Sequence, residues 1–587
     1  MKTLLVSLDS KFIHSNLALR YIKNYCADNF DIEIKEFTIN QKIEYITDEI
    51  ISSRADLICF SCYIWNMEYI NEIIYILKIA NPKLNILLGG PEVSYEIRNV
   101  MKNNDLIDFI IYGEGEISFH EFLTSIHENK NMSEVDGLAY RSENEIIINK
   151  PRAINHDLDR LAFPYKNEIK HYDKIIYYES SRGCPFRCSF CMSSIDKSVR
   201  MFSLERVKKD LLILLNSNAR QIKFVDRTFN ADYKRAMKIM QFIAENNNSN
   251  MTIHFEITAD IINDEFLEFL KSMPVNMFQF EVGVQSLNEK TLDEIDRKTN
   301  IDRLIYVVNK IKENKNMHMH LDLIAGLPYE DYDTFKLSFN TIHNLYADKL
   351  QLGFLKVLKG TKIYRDLELH DIKYNRKAPY EIIKNKYMSY EELLKLKNIE
   401  ELVERYYNEK YFYITIRYLM EKFYDNKAFN FYEEFSQYWK NNNLYMAMHN
   451  RKKLYEIIYN FVKTKEILTE KFMDNLLYDF VSCNEKEELI SIFDKDKEES
   501  LRDIKRIIAK DEQFRKEYFD IDDNKLSKAS SPKIINDFRL VNISGDIILF
   551  VYRSKSNIFE RCKTYKINSF INKIIDNKEK VQVDEEI

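Results

Sequence analysis

Glu179-Ser-Ser-Arg-Gly-Cys184-Pro-Phe-Arg-Cys188-Ser-Phe-Cys191 begins where a short apolar run, Ile175 to Glu179, ends, so its three cysteines lie on the loop leaving a predicted strand. The spacing is three residues and then two, and thiolates so close in sequence can wrap a single cluster. Three thiolates on a four-iron cluster leave one iron open, and an open iron can chelate a substrate where four cysteines would only carry electrons. A zinc site or plain buried thiols are the competing readings. Zinc usually takes four Cys or His ligands in paired spacing, and no partner pair stands nearby. Eight cysteines in 587 residues are too sparse for a disulfide scaffold.

Downstream of this loop, strand-like runs recur at Gln221 to Val225, Thr252 to Ile257, Met277 to Val282, Leu321 to Ala325 and Lys349 to Leu355, with amphipathic stretches such as Leu204 to Asn216 between them. With Ile175 to Glu179 these make six strand-helix units, which predict a partial parallel (β/α)6 barrel of the TIM type with its chemistry in the loops after the strands. Upstream, Thr3 to Ser7, Ile32 to Phe37, Leu57 to Ser61, Asn85 to Leu88 and Phe109 to Tyr112 alternate with helical patterns such as Asn16 to Cys26 and Met67 to Lys78. That rhythm predicts a doubly wound, Rossmann-like α/β sheet whose ligand lies beyond the carboxyl ends of its strands. The loops at those ends are Ser61-Cys-Tyr-Ile-Trp65-Asn66, Gly89-Gly90-Pro91-Glu92 and Gly113-Glu114-Gly115-Glu116.

Between the two patterns, Leu138 to Arg141 and Glu145 to Asn149 read as a hairpin, followed by a linker punctuated by Pro151 and Pro164. Past residue 370 the alternation stops, and stretches such as Tyr390 to Tyr407 read as amphipathic helices, with one late strand at Asp546 to Tyr552 and a frayed last dozen residues. The expected domains are 1–130, a hairpin and linker over 131–170, a barrel over 171–365, and a mostly helical part over 366–587. Basic and acidic side chains number 86 and 92, a net charge of -6, which gives no basic footprint for nucleic acid. There is no run of about twenty uncharged apolar residues and no secretory signal at the start, so a cytoplasmic protein without a membrane span is expected.

The CxxxCxxC loop after the first barrel strand resembles that of the radical S-adenosylmethionine (SAM) superfamily, and Phe190 fits its usual aromatic. Phe224-Val225-Asp226, Phe255-Glu256-Ile257, Glu281-Val-Gly-Val-Gln285-Ser286 and Gly326-Leu327-Pro328 continue the likeness on successive strands. The resemblance implies a 4Fe-4S cluster on Cys184, Cys188 and Cys191. It also implies a SAM pocket in which Glu281 and Gln285 meet the ribose or amino-acid part, Ile324 to Pro328 meet the adenine, and Asp226 and Glu256 stand alongside. The N-terminal sheet is similar to the cobalamin-binding domain that precedes such barrels in cobalamin-dependent radical SAM methylases and anaerobic porphyrin-ring cyclases. By that likeness Ser61, Trp65, Asn66, Gly89, Gly90, Gly113, Glu114, Gly115 and Glu116 receive cobalamin; a flavodoxin-like sheet binding another nucleotide, or nothing, is the alternative. The Asp-x-His-x-x-Gly loop that supplies a lower axial histidine in many cobalamin proteins is absent: Asp9 and His14 lie five apart, so His14 could still reach cobalt but reads more readily as a surface or capping residue, and cobalt is expected to have no protein imidazole. Cys59 and Cys62 read as core thiols. The whole chain resembles a subgroup of these proteins with a C-terminal domain of unknown function, DUF4080.

The resemblance implies an enzyme that cleaves SAM reductively to a 5'-deoxyadenosyl radical, for methylation of an unactivated carbon. It would act on a small-molecule or peptide substrate and draw electrons from a donor such as flavodoxin or ferredoxin. A cobalamin-dependent cyclase or oxidase keeps the same cofactors. A tRNA methylthiotransferase has a similar barrel but needs a second three-cysteine cluster in its N-terminal domain, where only Cys26, Cys59 and Cys62 stand. A cobalamin sensor that is not an enzyme would need the sheet and none of the cysteine loop. The C-terminal part is expected to set the substrate by covering the open side of the barrel.

Overall fold

In the computed structural model, residues 1–143, 145–166, 174–196, 198–248, 251–484, 487–519, 536–552 and 562–573 are described, and they fall into two compact units, 1–338 with 351–393 and 339–350 with 394–587. The expected fraying of the last dozen residues lies outside the described residues.

The first unit opens with β1 (Thr3–Asp9), α1 (Leu17–Cys26), β2 (Ile32–Thr38), α2 (Ile43–Ser52), β3 (Leu57–Ser61), α3 (Met67–Ala80), β4 (Asn85–Gly89), α4 (Ile97–Asn103), β5 (Phe109–Ile111) and α5 (Gly115–His127). All seven residues of β1 are buried, as expected of a parallel strand covered on both faces. Its alternate side chains feed two cores: Leu4, Val6 and Leu8 pack with Ile46 of α2, Ile73 of α3 and Met101 of α4, while Leu5 packs with Leu19 of α1 and Phe119 of α5. Cys59 and Cys62 are buried in these cores, as the sequence suggests.

The hairpin is part of this sheet and not of a connector: β6 (Leu138–Ser142) pairs antiparallel with β5, and β7 (Glu145–Ile148) pairs with β6. The strand order is β2-β1-β3-β4-β5-β6-β7. Chain direction through the sheet reverses at β1, which makes the ends of β1 and β3 the crevice for a ligand.

The barrel follows with β8 (Ile176–Tyr178), a two-residue ribbon of β9 (Ser181–Arg182) and β10 (Arg200–Met201), α6 (Leu204–Leu215), β11 (Gln221–Phe224), α7 (Tyr233–Asn246), β12 (Thr252–Ile257), α8 (Asp264–Lys271), β13 (Phe278–Gln285), α9 (Glu289–Glu294), α10 (Ile301–Asn314), β14 (His318–Ala325), α11 (Tyr332–His343) and β15 (Lys349–Phe354). Six strands form one sheet in the order β15-β14-β13-β12-β11-β8, so neighbours in sequence are neighbours in space. After it, a strap made of α12 (Lys362–Arg365), β16 (Lys373–Tyr374) and β17 (Ile382–Lys384) stays with the first unit up to residue 393, past the boundary expected at 365.

The second unit contains most of α13 (Tyr390–Val403), then α14 (Tyr413–Phe423), α15 (Ala428–Asn441), α16 (Arg451–Thr464) and α17 (Glu470–Cys483), packed through buried aromatics that include Tyr406, Phe435 and Trp439. The single late strand has partners: β18 (Phe538–Ile543), β19 (Asp546–Val551) and β20 (Lys563–Lys566) form an antiparallel sheet. Ser544 and Gly545 both take positive φ, 53° and 85°, the geometry a two-residue hairpin turn requires. Among the described residues no helix is long and apolar enough to cross a membrane.

Candidate functional site

At the carboxyl ends of β1, β3, β4 and β5 lies a cavity of about 870 Å³, and its far wall is supplied by the barrel through Tyr177, Glu179, Arg182, Val225 and Arg227. One side is aromatic. Trp65 is 43% exposed and stacks on Tyr63, with ring centroids 4.4 Å apart and planes 8° from parallel. The Trp65 indole N–H donates to the Leu8 carbonyl (3.2 Å), which fixes the ring. Gly89-Gly90-Pro91 and Gly113 to Glu116 line the cavity as well. Gly90 has φ +109°, and a Cβ there would fall 2.6 Å from the Cys62 carbonyl oxygen, so backbone alone can pass between the two loops. An aromatic face in a cavity also lined by glycine-rich loops suits a flat, rigid macrocycle, so the residues present fit cobalamin.

The expected cavity residues divide into two groups. Ser61, Trp65, Gly89, Gly90, Gly113 and Gly115 line the space. Asn66 does not: it is 1% exposed, its Nδ2 donates to the Leu8 and Ser61 carbonyls (3.1 and 2.9 Å), and its Oδ1 accepts from the Tyr63 N–H. Asn66 holds the loop that presents Trp65. Glu114 and Glu116 line the cavity too, but their carboxylates are taken by arginines of the barrel: Arg200 donates through both terminal nitrogens to Glu114 (2.6 and 3.1 Å), and Arg182 donates to Glu116 (2.5 Å). His14 is a cavity residue, not a surface or capping one. Its Nδ1 is hydrogen-bonded to the Tyr177 hydroxyl at 2.6 Å, and burial, then Lys223, Lys11 and Lys174, hold its pKa below the usual histidine value.

The cysteine loop is closed at its base by the β9–β10 ribbon. Gly183 enters it with φ +91°, and a Cβ there would lie 1.8 Å from the Ser198 carbonyl oxygen, so the loop closes only over glycine. The Cys188 thiol is buried, which raises its pKa, while the Arg297 guanidinium opposes that and donates to its sulfur at 3.5 Å. Cys184 Sγ lies 3.5 Å from the Thr228 hydroxyl. Among the described residues no three Cys, His, Asp or Glu side chains stand close enough together to hold a metal ion, the three loop thiols included. Their donor set, three soft thiolates with a guanidinium hydrogen bond aimed at one sulfur, fits a four-iron cluster with one iron left for SAM.

Inside the barrel the polar side chains follow the strand period. Glu256 and Glu281 face each other across β12 and β13, and His254, two residues before Glu256, holds Glu281 at 3.0 Å. That hydrogen bond keeps the Glu281 carboxyl below its usual pKa. Glu256 makes no such bond, and burial pushes it up to about 7 despite Arg227 and Lys223. Asp322 is raised well above the usual value by burial and by Glu281 and Glu256, and its Oδ1 has no partner. Gln285 sits at a register shift in β13 with φ +73° and a buried, unpartnered Oε1. Glu256 and Glu281 thus face each other on neighbouring strands, and Gln285 ends β13 four residues beyond Glu281.

Asp226 is placed differently: 1% exposed, it accepts from the Ser180 N–H and from the Ser180 and Ser181 hydroxyls (2.8, 2.6 and 2.6 Å), tying β11 to the start of the cysteine loop. Gly326 and Pro328 are buried, and the Gly326 carbonyl accepts from Asn385 of the strap at 2.9 Å. Sequence reasoning missed Lys223, His254, Arg297 and Asp322, although stepping by two from Glu256 or opposite Gly283 would have reached His254 and Asp322.

A flavodoxin-like sheet, a six-stranded half barrel with a CxxxCxxC loop after its first strand, and a separate C-terminal unit define a three-part class of protein. Family models match the same three regions: a B12 binding domain over residues 4–123, the radical SAM superfamily over 178–342, and a protein of unknown function, DUF4080, over 368–560. The chain thus carries, in this order, a B12 binding domain, a radical SAM domain and DUF4080. It is 25% identical over 320 residues to the cobalamin-dependent radical SAM methyltransferase TokK of Streptomyces tokunonensis, covering 50% of this chain and 45% of that one. It is 25% identical over 303 residues to the uncharacterized methyltransferase PH0819 of Pyrococcus horikoshii, covering 49% of this chain and 64% of that one. The chain therefore spans about half the length of these curated relatives. Its fold is similar to the cobalamin-dependent S-adenosylmethionine radical enzyme OxsB with aqua-cobalamin bound, with a TM-score of 0.57 at 16% identity over 82% of this chain and 79% of that one. The two recognised domains carry their cofactors with them: cobalamin for the first, SAM and a 4Fe-4S cluster for the second.

Proposed function

We propose that this protein is a cobalamin-dependent radical SAM methyltransferase acting on an unactivated carbon. The observation that carries this reading is the shared cavity: residues that fit cobalamin and the ends of barrel strands β8 and β11 line one space of about 870 Å³. The bound groups would supply reductive cleavage of SAM, hydrogen abstraction by the resulting 5'-deoxyadenosyl radical, and a transferable methyl group. Cys184, Cys188 and Cys191 would hold the cluster, with Arg297 donating to the Cys188 sulfur. Glu281, ionised through His254, and Gln285 would orient the ribose and the amino-acid part of SAM, since carboxylate and amide oxygens accept from hydroxyls and an ammonium group. Trp65 and the two glycine loops would seat cobalamin. The electron would come from a small donor such as flavodoxin or ferredoxin, and the substrate would be a small molecule or peptide.

The test is anaerobic reconstitution with iron, sulfide and hydroxocobalamin. The protein should take up about four irons per chain and, with a strong reductant, convert SAM to 5'-deoxyadenosine and methionine; Cys188→Ala should do neither. About one S-adenosylhomocysteine per bound cobalamin should also form, and none without cobalamin, because SAM that gives its methyl group to reduced cobalamin is left as S-adenosylhomocysteine. Deoxyadenosine without S-adenosylhomocysteine would instead favour a cyclase or oxidase.

A further inference from the structure

The ribbon that closes the cysteine loop carries an electrostatic conflict. Arg182 and Arg200 are directly opposite each other in it, one on β9 and one on β10. Like charges in that position repel. Both guanidiniums are also withdrawn from water, with side-chain exposures of 14% and 5%, and buried charge must be paired. The barrel provides part of the pairing: Glu179 lies 2.8 Å from Arg182, and Asp196 lies 3.0 Å from Arg200. The rest comes from the N-terminal sheet. Glu114 grips Arg200 with both oxygens and stands 3.6 Å from Arg182, and Glu116 grips Arg182 at 2.5 Å. These two glutamates belong to the Gly113-Glu114-Gly115-Glu116 segment, which lines the 870 Å³ cavity.

We propose that Glu114 and Glu116 are positioning residues that form an ionic latch, through which filling of the cobalamin cavity and closing of the cysteine loop favour each other. The latch rests on the cofactor assignment above and adds to it a coupling between the two sites. With the cavity filled, the glycine-rich segment is held against its ligand, the two carboxylates stay under the arginines, and the ribbon at the base of residues 183–199 stays shut around the cysteines. With the segment loose, two facing arginines lose half of their counter-charge and the ribbon opens. Coupling of this kind is reciprocal, so a cluster on the cysteines must tighten cobalamin binding by the same factor by which cobalamin stabilises the loaded loop.

Full-length protein, with and without reconstituted iron, is titrated with hydroxocobalamin by absorbance. The iron-loaded form should bind it about five-fold more tightly or better. In the Glu114→Gln, Glu116→Gln double variant the two affinities should coincide at the value of iron-free wild type. A reading on wild type alone needs no variant to fold: hydrogen exchange of the peptides spanning 181–201 in iron-free protein should slow when hydroxocobalamin is added. Equal affinities in wild type, a preserved ratio in the double variant, or unchanged exchange over 181–201 would each overturn the latch. A wild-type protein that binds neither hydroxocobalamin nor iron would overturn the cofactor assignment instead, so the two failures are distinguishable.

Discussion

Of the carboxylates in the barrel face, Glu281 has a buried partner in His254 and Glu256 has none, and that difference sets their protonation in opposite directions. Glu256 ionises near 4.5 in the unfolded chain and near 7 in the fold. Between those values the unfolded chain releases its proton first, so the folded state binds more protons and loses stability as pH rises from about 4.5 to about 7. At about 1.4 kcal/mol for each tenfold in proton affinity, the cost of ionising Glu256 in the ligand-free fold is on the order of 3 kcal/mol. Glu256→Gln removes the charge and keeps the shape. It should raise the melting temperature of ligand-free protein by a few degrees at pH 8 and leave it nearly unchanged at pH 5; an equal effect at both would mean that Glu256 is not the group that titrates.

The loop from Gly183 to Ser198 makes a stricter demand on its sequence than the strands around it. A Cβ at Gly183 would have to displace the backbone of Ser198, whereas at Gly89, across the same unit, it would meet Ile111 at an ordinary 3.6 Å. Gly183→Ala should therefore fold yet lose most of its iron after reconstitution, and Gly89→Ala should keep it; iron and sulfide counts on the two proteins decide the matter. Elements of this kind were legible in the sequence because they depend on local pattern. Continuous apolar runs such as Thr3 to Ser7 announced buried parallel strands, and the cysteine spacing placed its loop. Partners distant in sequence were not legible. Nothing in Gly113-Glu-Gly-Glu116 says that its carboxylates meet Arg182 and Arg200, and nothing around Leu138 says that the hairpin completes the first sheet. For β18 a local signal existed: Ser544-Gly545 between two apolar runs is a hairpin turn, and reading it would have given the late strand its neighbour.

At the scale of the molecule, the end of the strand-helix alternation near residue 370 suggests that a chain truncated there would still cleave SAM while losing its product, and the packing argues against so clean a cut. Residues 339–350 belong to the second compact unit although they lie upstream of β15's end. Phe339 is fully buried against Phe429 and Tyr432, at centroid distances of 5.4 and 5.9 Å, and His343 against Tyr407 at 4.8 Å. The Tyr407 hydroxyl donates to the Ala347 carbonyl (2.7 Å), and Asn408 makes a reciprocal pair of hydrogen bonds with the backbone of Leu350 (2.8 and 3.0 Å). A chain ending at residue 393 would take away all of these partners and leave Phe339, Ile342, Leu345 and Leu350, each now at most 6% exposed, facing water. Uncovering several large apolar side chains costs about 1.5–3 kcal/mol apiece, which is a large share of a domain's net stability of roughly 5–15 kcal/mol. The truncated protein should be aggregated or markedly less heat-stable than the full chain and take up less iron. Size-exclusion chromatography, a melting curve and an iron count on chains ending at 393 and at 587 test this, and a monodisperse 1–393 with an unchanged melting temperature and the full iron complement would show that the first unit folds on its own.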